Sequence, residues 1–343
     1  MSINIFIEST DFFTKGAYFF NPQHALIKVD VADIDAIYFP HMINGGFLTP
    51  KMKQLLVKQI PREYLGTELE YEYTNGQVPK YLCSVYKKRI KKAYPSIADK
   101  PIVFLHIADF PFPYDVDDNT IVVRCSINRT TMQKNDIVMP ARIPYFDWEG
   151  PQTEIKPSIG FCGCPTTHNT RRKLINELIS CKTIEFDYFL TNRFYNHIDK
   201  VLKYQYKDLA TKNIGTADVD TLAQEIKLNL KHKFNKKLKD NIFSLCPRGR
   251  GNYSVRFYET LRAGRIPVMV DSDQVFPCED IIDWNDIVIC TDNVEEMIQK
   301  IYDWTENRDL IEVQKRCREV WETYLNFPNF VELLPKYIAN SLS

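Results

Sequence analysis

Short apolar runs that alternate with helical periodicities predict an α/β architecture for this chain. In the first half, parallel strands are predicted at residues 3–7, 36–39, 102–106 and 121–123, with helices at 51–57 and 79–92. A proline-rich segment, residues 140–157, then leads to further strands at 158–162, 242–246, 266–270 and 287–290. At 343 residues with 44% hydrophobic content, the chain is long and apolar enough for two buried cores.

The loop after residues 242–246 has the highest density of candidate ligand-binding residues in the sequence. Gly249 and Gly251 alternate there with Arg248 and Arg250, and a helix is predicted to begin at Ser254 and to end at Gly264. We expect the Ser254 hydroxyl to cap the first free amides of this helix. Free amides, a positive helix end and arginine forks together favour a diphosphate as the ligand.

Glu259 lies about one turn inside the same helix. A carboxylate at that position is placed to accept two hydrogen bonds from vicinal hydroxyls, such as those of a ribose. The alternative is that the arginines solvate a surface loop and that Glu259 pairs with Arg256 or Arg262. Spacing alone does not decide between the two interpretations.

A longer stretch of this region resembles a known family. The similarity rests on the runs Phe243-Ser-Leu-Cys-Pro-Arg-Gly249, Ser254-Val-Arg-Phe-Tyr-Glu-Thr-Leu261, Ile266-Pro-Val-Met-Val270, then Pro277 and Ile282-Asp-Trp284. Their order and spacing resemble the signature of the exostosin-type glycosyltransferases, family GT47. Weaker similarities lie at residues 36–40 and at 158–163, the latter followed by Arg171 and Arg172.

The resemblance implies a GT-B type α/β fold, in which two Rossmann-like domains enclose a cleft. Residues 1–150 would form the acceptor-side domain, 151–325 the nucleotide-sugar-binding domain, and 326–343 a C-terminal helix that packs back on the first domain. The implied reaction moves a sugar from a nucleotide sugar, expected to be a UDP-sugar, to a glycan hydroxyl with inversion. Such a transfer serves polysaccharide, surface-glycan or glycoprotein-glycan synthesis. The alternatives are an inactive relative that binds a glycan or nucleotide as a module, and a nucleotide-binding enzyme that does not act on sugars.

We expect the donor site to include residues from two units of the second half, each made of a strand, a loop and a helix. One unit begins at residue 158 and the other at residue 242. Its predicted members are Arg248, Gly249, Gly251, Asn252, Ser254, Arg256, Glu259, Arg171 and Asp273. An exposed position on its helix is an equally good interpretation of Arg171. The motif Asp271-Ser-Asp273 is similar to a metal-binding Asp-x-Asp, but the same spacing recurs three times elsewhere in this chain. Because arginines already supply the charge, we expect no metal or other cofactor, and we expect Asp273 to shape a substrate pocket.

An inverting transfer needs a general base for the acceptor hydroxyl. Asp109, His106 and His41 are the candidates, because each follows a predicted strand of the first half, where ligands bind in parallel sheets. Each also has an ordinary structural explanation. A histidine at a strand end is commonly hydrogen-bonded within the protein, and Asp109 is equally suited to cap the next turn.

Charge and cysteine content indicate which partners and which cellular compartment to expect for this protein. The 44 basic and 44 acidic residues balance, which argues against a nucleic-acid partner. Nine scattered cysteines without a paired framework favour a reducing compartment. No apolar stretch is long enough for a signal peptide or a spanning helix. We therefore expect a cytoplasmic enzyme of bacterial or viral type.

Two predicted helices of the second half have further recognisable features, a basic surface on one and an N-terminal cap on the other. An amphipathic helix at residues 218–239 has one basic end, formed by Lys227, Lys231, Lys233, Lys236, Lys237 and Lys239. Such lysines favour the helix dipole and are commonly a solvated face, while the alternative is contact with an anionic membrane surface or a lipid-linked acceptor. Further along, Asp292 and Glu295 predict a capping box for the next helix.

Overall fold

A computed structural model describes residues 5–7, 36–41, 100–106, most of 111–191, and 216–342. It also describes the isolated residues Lys92 and Pro95. For residues 5–7, 36–41 and 104–106 it describes the backbone alone. The helices expected at 51–57 and 79–92 lie outside the described residues, apart from Lys92.

The first sheet is parallel throughout its described strands. These are β1 (Ile5–Ile7), β2 (Ala36–His41), β3 (Ile102–His106), β4 (Thr120–Arg124) and β5 (Asp136–Val138), which pair in chain order. The predicted strands of the first half correspond to the first four. β5 was missed because its apolar run, from Ile137 to Met139, is shorter than the runs that mark the other strands.

The second sheet consists of β6 (Ser158–Gly163), β7 (Glu185–Leu190), β8 (Phe243–Leu245), β9 (Ile266–Val270) and β10 (Ile289–Thr291). Its strands lie in the order β7, β6, β8, β9, β10, and every pair is parallel. The chain therefore reverses its direction of winding between β6 and β8. In open α/β sheets the crevice for ligands lies at such a switch point, beyond the carboxyl ends of the strands.

Helices cover the second sheet and continue beyond its last strand. They are α1 (Asn169–Ser180), α2 (Thr216–Asp240), α3 (Val255–Arg262), α4 (Val294–Asn307), α5 (Leu310–Val320) and α6 (Phe327–Leu342), with a π-helical turn at Trp321–Leu325. Their apolar faces enclose a core in which Ile175, Leu261 and Ile301 are fully buried. The same core continues into the first sheet through Cys125, Met139 and Ala141. The two parallel sheets, the second of them flanked by helices, confirm the expected α/β fold of GT-B type.

Two helix starts differ from their prediction. Asn293, not Asp292, caps α4: its Oδ1 accepts from the Glu296 amide at 2.9 Å, and its Nδ2 donates to the Glu296 carboxylate at 2.8 Å. The box is shifted by one residue because a start at Val294 turns Met297 and Ile301 into the core. Ser254 does occupy the N-cap of α3, but its hydroxyl makes no capping hydrogen bond.

The C-terminal helix α6 returns to the first sheet and contacts β5. Its buried face consists of Phe330, Leu334 and Ile338, at the four-residue spacing of one helix side. On the other side Lys336 and Tyr337 bind Asp280, with distances of 2.8 and 2.6 Å to its two carboxylate oxygens. The helix thus contacts the last strand of the first sheet and also the segment between β9 and β10 of the second sheet.

A buried arginine connects the proline-rich segment to the second sheet. Arg265 is 5% exposed and donates to the carbonyl of Lys239 in the last turn of α2, at 3.1 Å. It also donates to the Gly264 carbonyl after α3, at 3.0 Å, and to the Gly150 carbonyl, at 3.3 Å. Carbonyls at helix carboxyl ends carry partial negative charge, which stabilises the buried cation.

Candidate active site

The switch point of the second sheet brings together two loops that are far apart in sequence. β6 ends at Gly163 and leads into α1, while β8 ends at Leu245 and leads through residues 247–254 into α3. Both helices begin at the carboxyl edge of the sheet. Both helix starts therefore border the crevice that is expected at this switch point, where backbone amides that remain free favour an anion.

Arg171 and Arg256 approach each other across this crevice. Their guanidinium carbons lie 5.3 and 5.2 Å from the centre of the Phe161 ring. A Cβ added to Gly163 would lie 3.3 Å from Nη2 of Arg171 and 3.5 Å from Nη2 of Arg256. A side chain at this position would therefore be in contact with both guanidinium groups, and Arg171 would have to move by a few tenths of an ångström.

The two guanidinium groups are cations in a poorly solvated place. Burial first, and then the charge of Arg256, lower the pKa of Arg171 to about 10. Nε of each side chain is buried without a hydrogen-bond partner, and within the described residues neither forms an ion pair with a carboxylate. Arg256 donates to the Cys162 carbonyl and lies 4.4 Å from the centre of the Phe234 ring. Two adjacent cations, neither in an ion pair with a described carboxylate, would favour the binding of a multiply charged anion.

The 247–254 loop has a fixed internal shape. The Gly249 amide donates to the Tyr253 carbonyl at 3.0 Å, which closes the loop on itself. Arg248 is half-buried, and its guanidinium donates to the Arg250 carbonyl at 3.2 Å. Since Ser254 gives no capping hydrogen bond, its side chain leaves the first amides of α3 to other partners.

Glu259 is half-buried one turn inside α3. Burial raises the pKa of its carboxyl, and the nearby charge of Arg256 opposes that shift. The predicted alternative of an ion pair with Arg262 is not found. The Arg262 guanidinium instead lies 5.8 Å from the centre of the Trp321 ring.

Asn252 and Asp273 lie at the junction of the two sheets. Asn252 is 1% exposed, and its side-chain amide donates to Asn128 and to the Ser272 carbonyl, both at 2.8 Å. The Asp273 carboxylate accepts from the Thr130 hydroxyl at 2.5 Å. These hydrogen bonds join the two sheets and occupy both amide hydrogens of Asn252, while a part for Asp273 in shaping a substrate pocket stays a prediction.

Asp271, the other carboxylate of the Asp-x-Asp motif, also faces the first sheet. Its oxygens lie 3.0 and 3.2 Å from Nη2 of Arg129. A search of the described residues finds no group of three metal-ligating side chains. The absence of a metal requirement stays a prediction.

In the first sheet, two of the predicted bases are neighbours along the carboxyl edge. The register of β2 and β3 pairs His41 with His106, and that of β3 and β4 pairs His106 with Arg124. Their Cα positions therefore form a row at the carboxyl edge of the first sheet. Asp109 lies outside the described residues, and a base role for any of the three stays a prediction.

Next to this row, Arg124 and Asp136 form a buried ion pair. Nη2 of Arg124 lies 2.7 Å from Oδ2 of Asp136, and the side chains are 1% and 0% exposed. A second contact joins Nε to Oδ1 at 2.9 Å. The sequence analysis missed this pair, since nothing in either strand pattern indicates that the two side chains face each other.

A family model described as the exostosin GT47 domain matches residues 160–301, from β6 to the middle of α4. The matched segment includes Arg171, Arg256, Glu259 and the whole 247–254 loop. Residues 160–301 are therefore similar to the exostosin GT47 domain, and this segment is called the GT47 domain below. The match confirms the resemblance and the expectation of a glycosyltransferase domain.

Relatives of the GT47 domain come from animals. The chain is 33% identical over 94 residues to the Exostosin-1 homolog of Caenorhabditis elegans, a match that covers 27% of this chain and 25% of that protein. It is 31% identical over 123 residues to Exostosin-1 of Drosophila melanogaster, covering 32% and 16%. The matches therefore span a quarter or less of these relatives.

This similarity to animal exostosins corrects one expectation. A cytoplasmic enzyme of bacterial or viral type was predicted from the absence of an apolar leader, and that prediction is wrong. Within the described residues, no helix combines the length and apolar character that crossing a membrane requires.

Among solved structures, TarM resembles the chain with a TM-score of 0.36 and 13% identity, covering 75% of this chain and 57% of TarM. A TarM mutant in complex with fondaparinux, alpha-GlcNAc-glycerol and UDP gives a TM-score of 0.35, again with 13% identity. At this level of similarity, the fold assignment for the chain rests on the two sheets themselves.

Two aromatic residues of the site were not predicted as part of it. Phe161 supports both arginines from β6, and Phe234 of α2 supports Arg256. The sequence gives each a place in an apolar pattern, which predicts core packing. Only the fold of the GT47 domain shows that their ring faces meet cations.

The basic end of α2 is partly used within the protein. Lys237 pairs with Asp187 of β7, and Lys236 pairs with Asp240 at 2.6 Å. Lys233 lies 4.1 Å from the centre of the Phe189 ring. These contacts fit the interpretation as a structural face, and contact with a membrane surface stays a prediction.

Proposed function

We propose that this protein transfers a sugar from a nucleoside-diphosphate sugar, with a UDP-sugar as the first candidate, to a hydroxyl of a glycan acceptor. The transfer proceeds with inversion, and it belongs to the synthesis of a polysaccharide, a surface glycan or the glycan of a glycoprotein. The GT47 domain supports the class of reaction. The geometry of the switch point supports the class of donor.

The observation that carries the proposal is the convergence of Arg171 and Arg256 beside Gly163. Two guanidinium groups that share one aromatic ring repel each other until an anion lies between them. A diphosphate supplies two adjacent negative charges, and charge-assisted hydrogen bonds to arginine are among the strongest in proteins. As the bond to the sugar breaks, charge grows on the leaving diphosphate, so the same contacts strengthen in the transition state.

Glu259 and the start of α3 complete the proposed donor site. The ionised carboxylate accepts hydrogen bonds from the two ribose hydroxyls, which offset the burial that raises its pKa. The first amides of α3 and the 247–254 loop contact the phosphates from the other side. Arg248 joins them once the guanidinium leaves the Arg250 carbonyl to which it now donates.

For the acceptor, we propose that one of His41, His106 and Asp109 accepts the hydroxyl proton. The row formed by His41 and His106 lies at the carboxyl edge of the first sheet. Removal of the proton makes the oxygen a better nucleophile as it attacks the anomeric carbon from the face opposite the diphosphate.

A two-stage experiment tests the proposal. First, UDP, GDP, dTDP and CMP are compared for their effect on thermal unfolding, where a ligand at 100 times its dissociation constant stabilises by about 2.7 kcal/mol. Then the sugar derivatives of the nucleotide that binds are incubated with glycan acceptors, and release of the nucleotide is measured. Binding without release in every pairing would support an inactive binding module, and absence of nucleotide binding would refute the proposal.

A further inference from the structure

The 247–254 loop is attached to the first sheet through one of its own residues. The Asn252 amide donates to the Ser126 hydroxyl at 2.8 Å, and the Asn252 side chain donates to Oδ1 of Asn128 at 2.8 Å. Ser126 and Asn128 follow directly after β4. A loop that belongs to the proposed donor site is therefore held by residues of the other sheet.

The hydrogen bonds of Asn252 leave its side chain nothing to offer a ligand. Its second amide hydrogen points to the Ser272 carbonyl at 2.8 Å, and its Oδ1 lies 2.8 Å from the Ser272 hydroxyl. Asn252 is only 1% exposed, so water cannot replace a partner that is lost. Loss of any of these partners would therefore leave a buried polar group without a hydrogen bond. The position of Asn252 is thus fixed by its partners and by burial together.

Fixing Asn252 also fixes the backbone around it. The Gly249 amide is bound to the Tyr253 carbonyl at 3.0 Å, so the loop is closed on one side of Asn252 and anchored at Asn252 itself. Ser254, the N-cap of α3, is two residues further on. A small displacement at the anchor therefore moves the amides that face the crevice, and contacts to a transferring group are sensitive to shifts of about 1 Å.

We propose that Asn252 is a positioning residue, and that Ser126 and Asn128 of the first domain control the affinity for the donor without touching it. This inference rests on the proposed function for its ligand, while the coupling itself is a property of the protein alone. It gives the acceptor-side domain a direct influence on nucleotide binding by the second domain.

Neighbouring contacts between the sheets supply a matched control. Arg129 pairs with Asp271 at 3.0 Å and donates to the Gln274 carbonyl at 3.1 Å. Its side chain is 53% exposed, and its contacts do not include Asn252. Removing it weakens the same junction of the two sheets, but the anchor of the loop stays in place.

The test compares Asn128→Ala, Asn128→Asp and Arg129→Ala in the full chain, with UDP, GDP and dTDP as probes in calorimetric titrations. We expect Asn128→Ala to weaken nucleotide binding about five- to tenfold, the effect of losing one buried hydrogen bond between neutral groups. Asn128→Asp keeps an acceptor for the Asn252 amide and restores affinity to within about twofold. Arg129→Ala changes affinity by less than about twofold.

Hydrogen exchange of residues 249–255 without nucleotide gives a second measurement. We expect faster exchange in Asn128→Ala and in Ser126→Ala, and exchange like that of the wild type in Asn128→Asp. Unchanged exchange and unchanged affinity in both alanine variants would overturn the inference, as would a lower unfolding temperature without either effect. If the wild type binds none of the nucleotides, the proposed function fails, and exchange alone decides whether the anchor exists.

Discussion

Arg171 and Arg256 hold their guanidinium carbons 5.3 and 5.2 Å from the centre of one ring, that of Phe161, although 85 residues separate them in sequence (256 − 171). We expect Arg171→Ala and Arg256→Ala each to weaken binding of a nucleoside diphosphate by about 1.5 to 3 kcal/mol, because each removes a charge-assisted contact. Lysine at either position should restore only part of the affinity, since a point charge cannot make two parallel hydrogen bonds.

Titration calorimetry of the four variants with the bound nucleotide measures this effect. Arg172→Ala is the matched control, because Arg172 lies in the same helical turn but is exposed and binds Asn169. Equal losses at positions 171 and 172 would mean that the effect comes from general charge and not from the paired site. Arg248→Ala, with Arg248→Lys beside it, tests the loop arginine in the same way.

The pH dependence of nucleotide binding should report on Glu259. Burial raises the pKa of this carboxyl in the ligand-free protein, while ribose hydroxyls bind its ionised form. Affinity is therefore fully present above the raised pKa and is lost as pH falls through it toward the ordinary carboxyl range. Glu259→Gln should bind more weakly at neutral pH and lose this dependence. The nucleotide's own phosphate titration is common to both proteins and cancels in their ratio, so an unchanged ratio across pH would rule out the role.

Activity should survive removal of divalent metal ions. The carboxylates of Asp271 and Asp273 bind Arg129 and Thr130, and guanidinium groups supply positive charge at the switch point. Turnover is measured after dialysis against EDTA and again after addition of manganese or magnesium. A complete loss that manganese restores would contradict the prediction and assign a metal to the reaction.

The general base is expected among Asp109, His106 and His41. Asp109→Asn preserves the shape of the side chain, so it should leave donor binding intact while it slows transfer by about 10² to 10⁴. His106→Ala and His41→Ala are measured in parallel, with nucleotide affinity as the control for intact structure. Near-normal turnover of Asp109→Asn together with a large loss in one histidine variant would transfer the role to that histidine.

The ion pair between Arg124 and Asp136 should matter for stability. Both side chains are buried, so Asp136→Asn leaves an arginine charge without its partner and should cost about 3 to 5 kcal/mol. The exposed pair of Lys315 and Glu312 offers the comparison, and Glu312→Gln should change the unfolding free energy by less than about 0.5 kcal/mol. Urea unfolding of both variants measures the difference. Similar small effects in the two would mean that Arg124 finds another partner.

Local signals predicted eight of the ten described strands and missed β5 and β7. The runs at residues 158–162 and 266–270 correspond to β6 and β9, because buried parallel strands are continuously apolar and end at glycine or polar residues. β7 carried a weaker signal, since Glu185 and Asp187 interrupt its apolar residues. The start of α4 was misplaced by one residue, because Asp292 and Asn293 are equally good caps in sequence and the core decides between them.

The sequence predicted those parts of the candidate site that lie within a single strand, loop and helix unit. It did not predict the contacts between such units. The 247–254 loop and α3 could be assigned to one strand, loop and helix unit from their own residues. The meeting of Arg171 with Arg256, by contrast, depends on β6 and β8 being adjacent in the second sheet. Asn252 resembled a loop residue that faces a ligand, and its burial follows from contacts with Ser126 and Asn128, more than 120 residues earlier. Such long-range contacts leave no local pattern.

Arg265 has a consequence that concerns variation between individuals or species. Because this one side chain ties the carboxyl ends of α2 and α3 to Gly150, its replacement would loosen three segments at once, although none of its partners belongs to the proposed donor site. Cells remove proteins whose unfolded fraction rises, so a variant at this position would be found as low protein abundance. The few molecules that did fold would still carry a complete set of donor-binding groups. Inherited change at Arg265 would therefore resemble a reduced dose of the gene, and not an enzyme with altered chemistry.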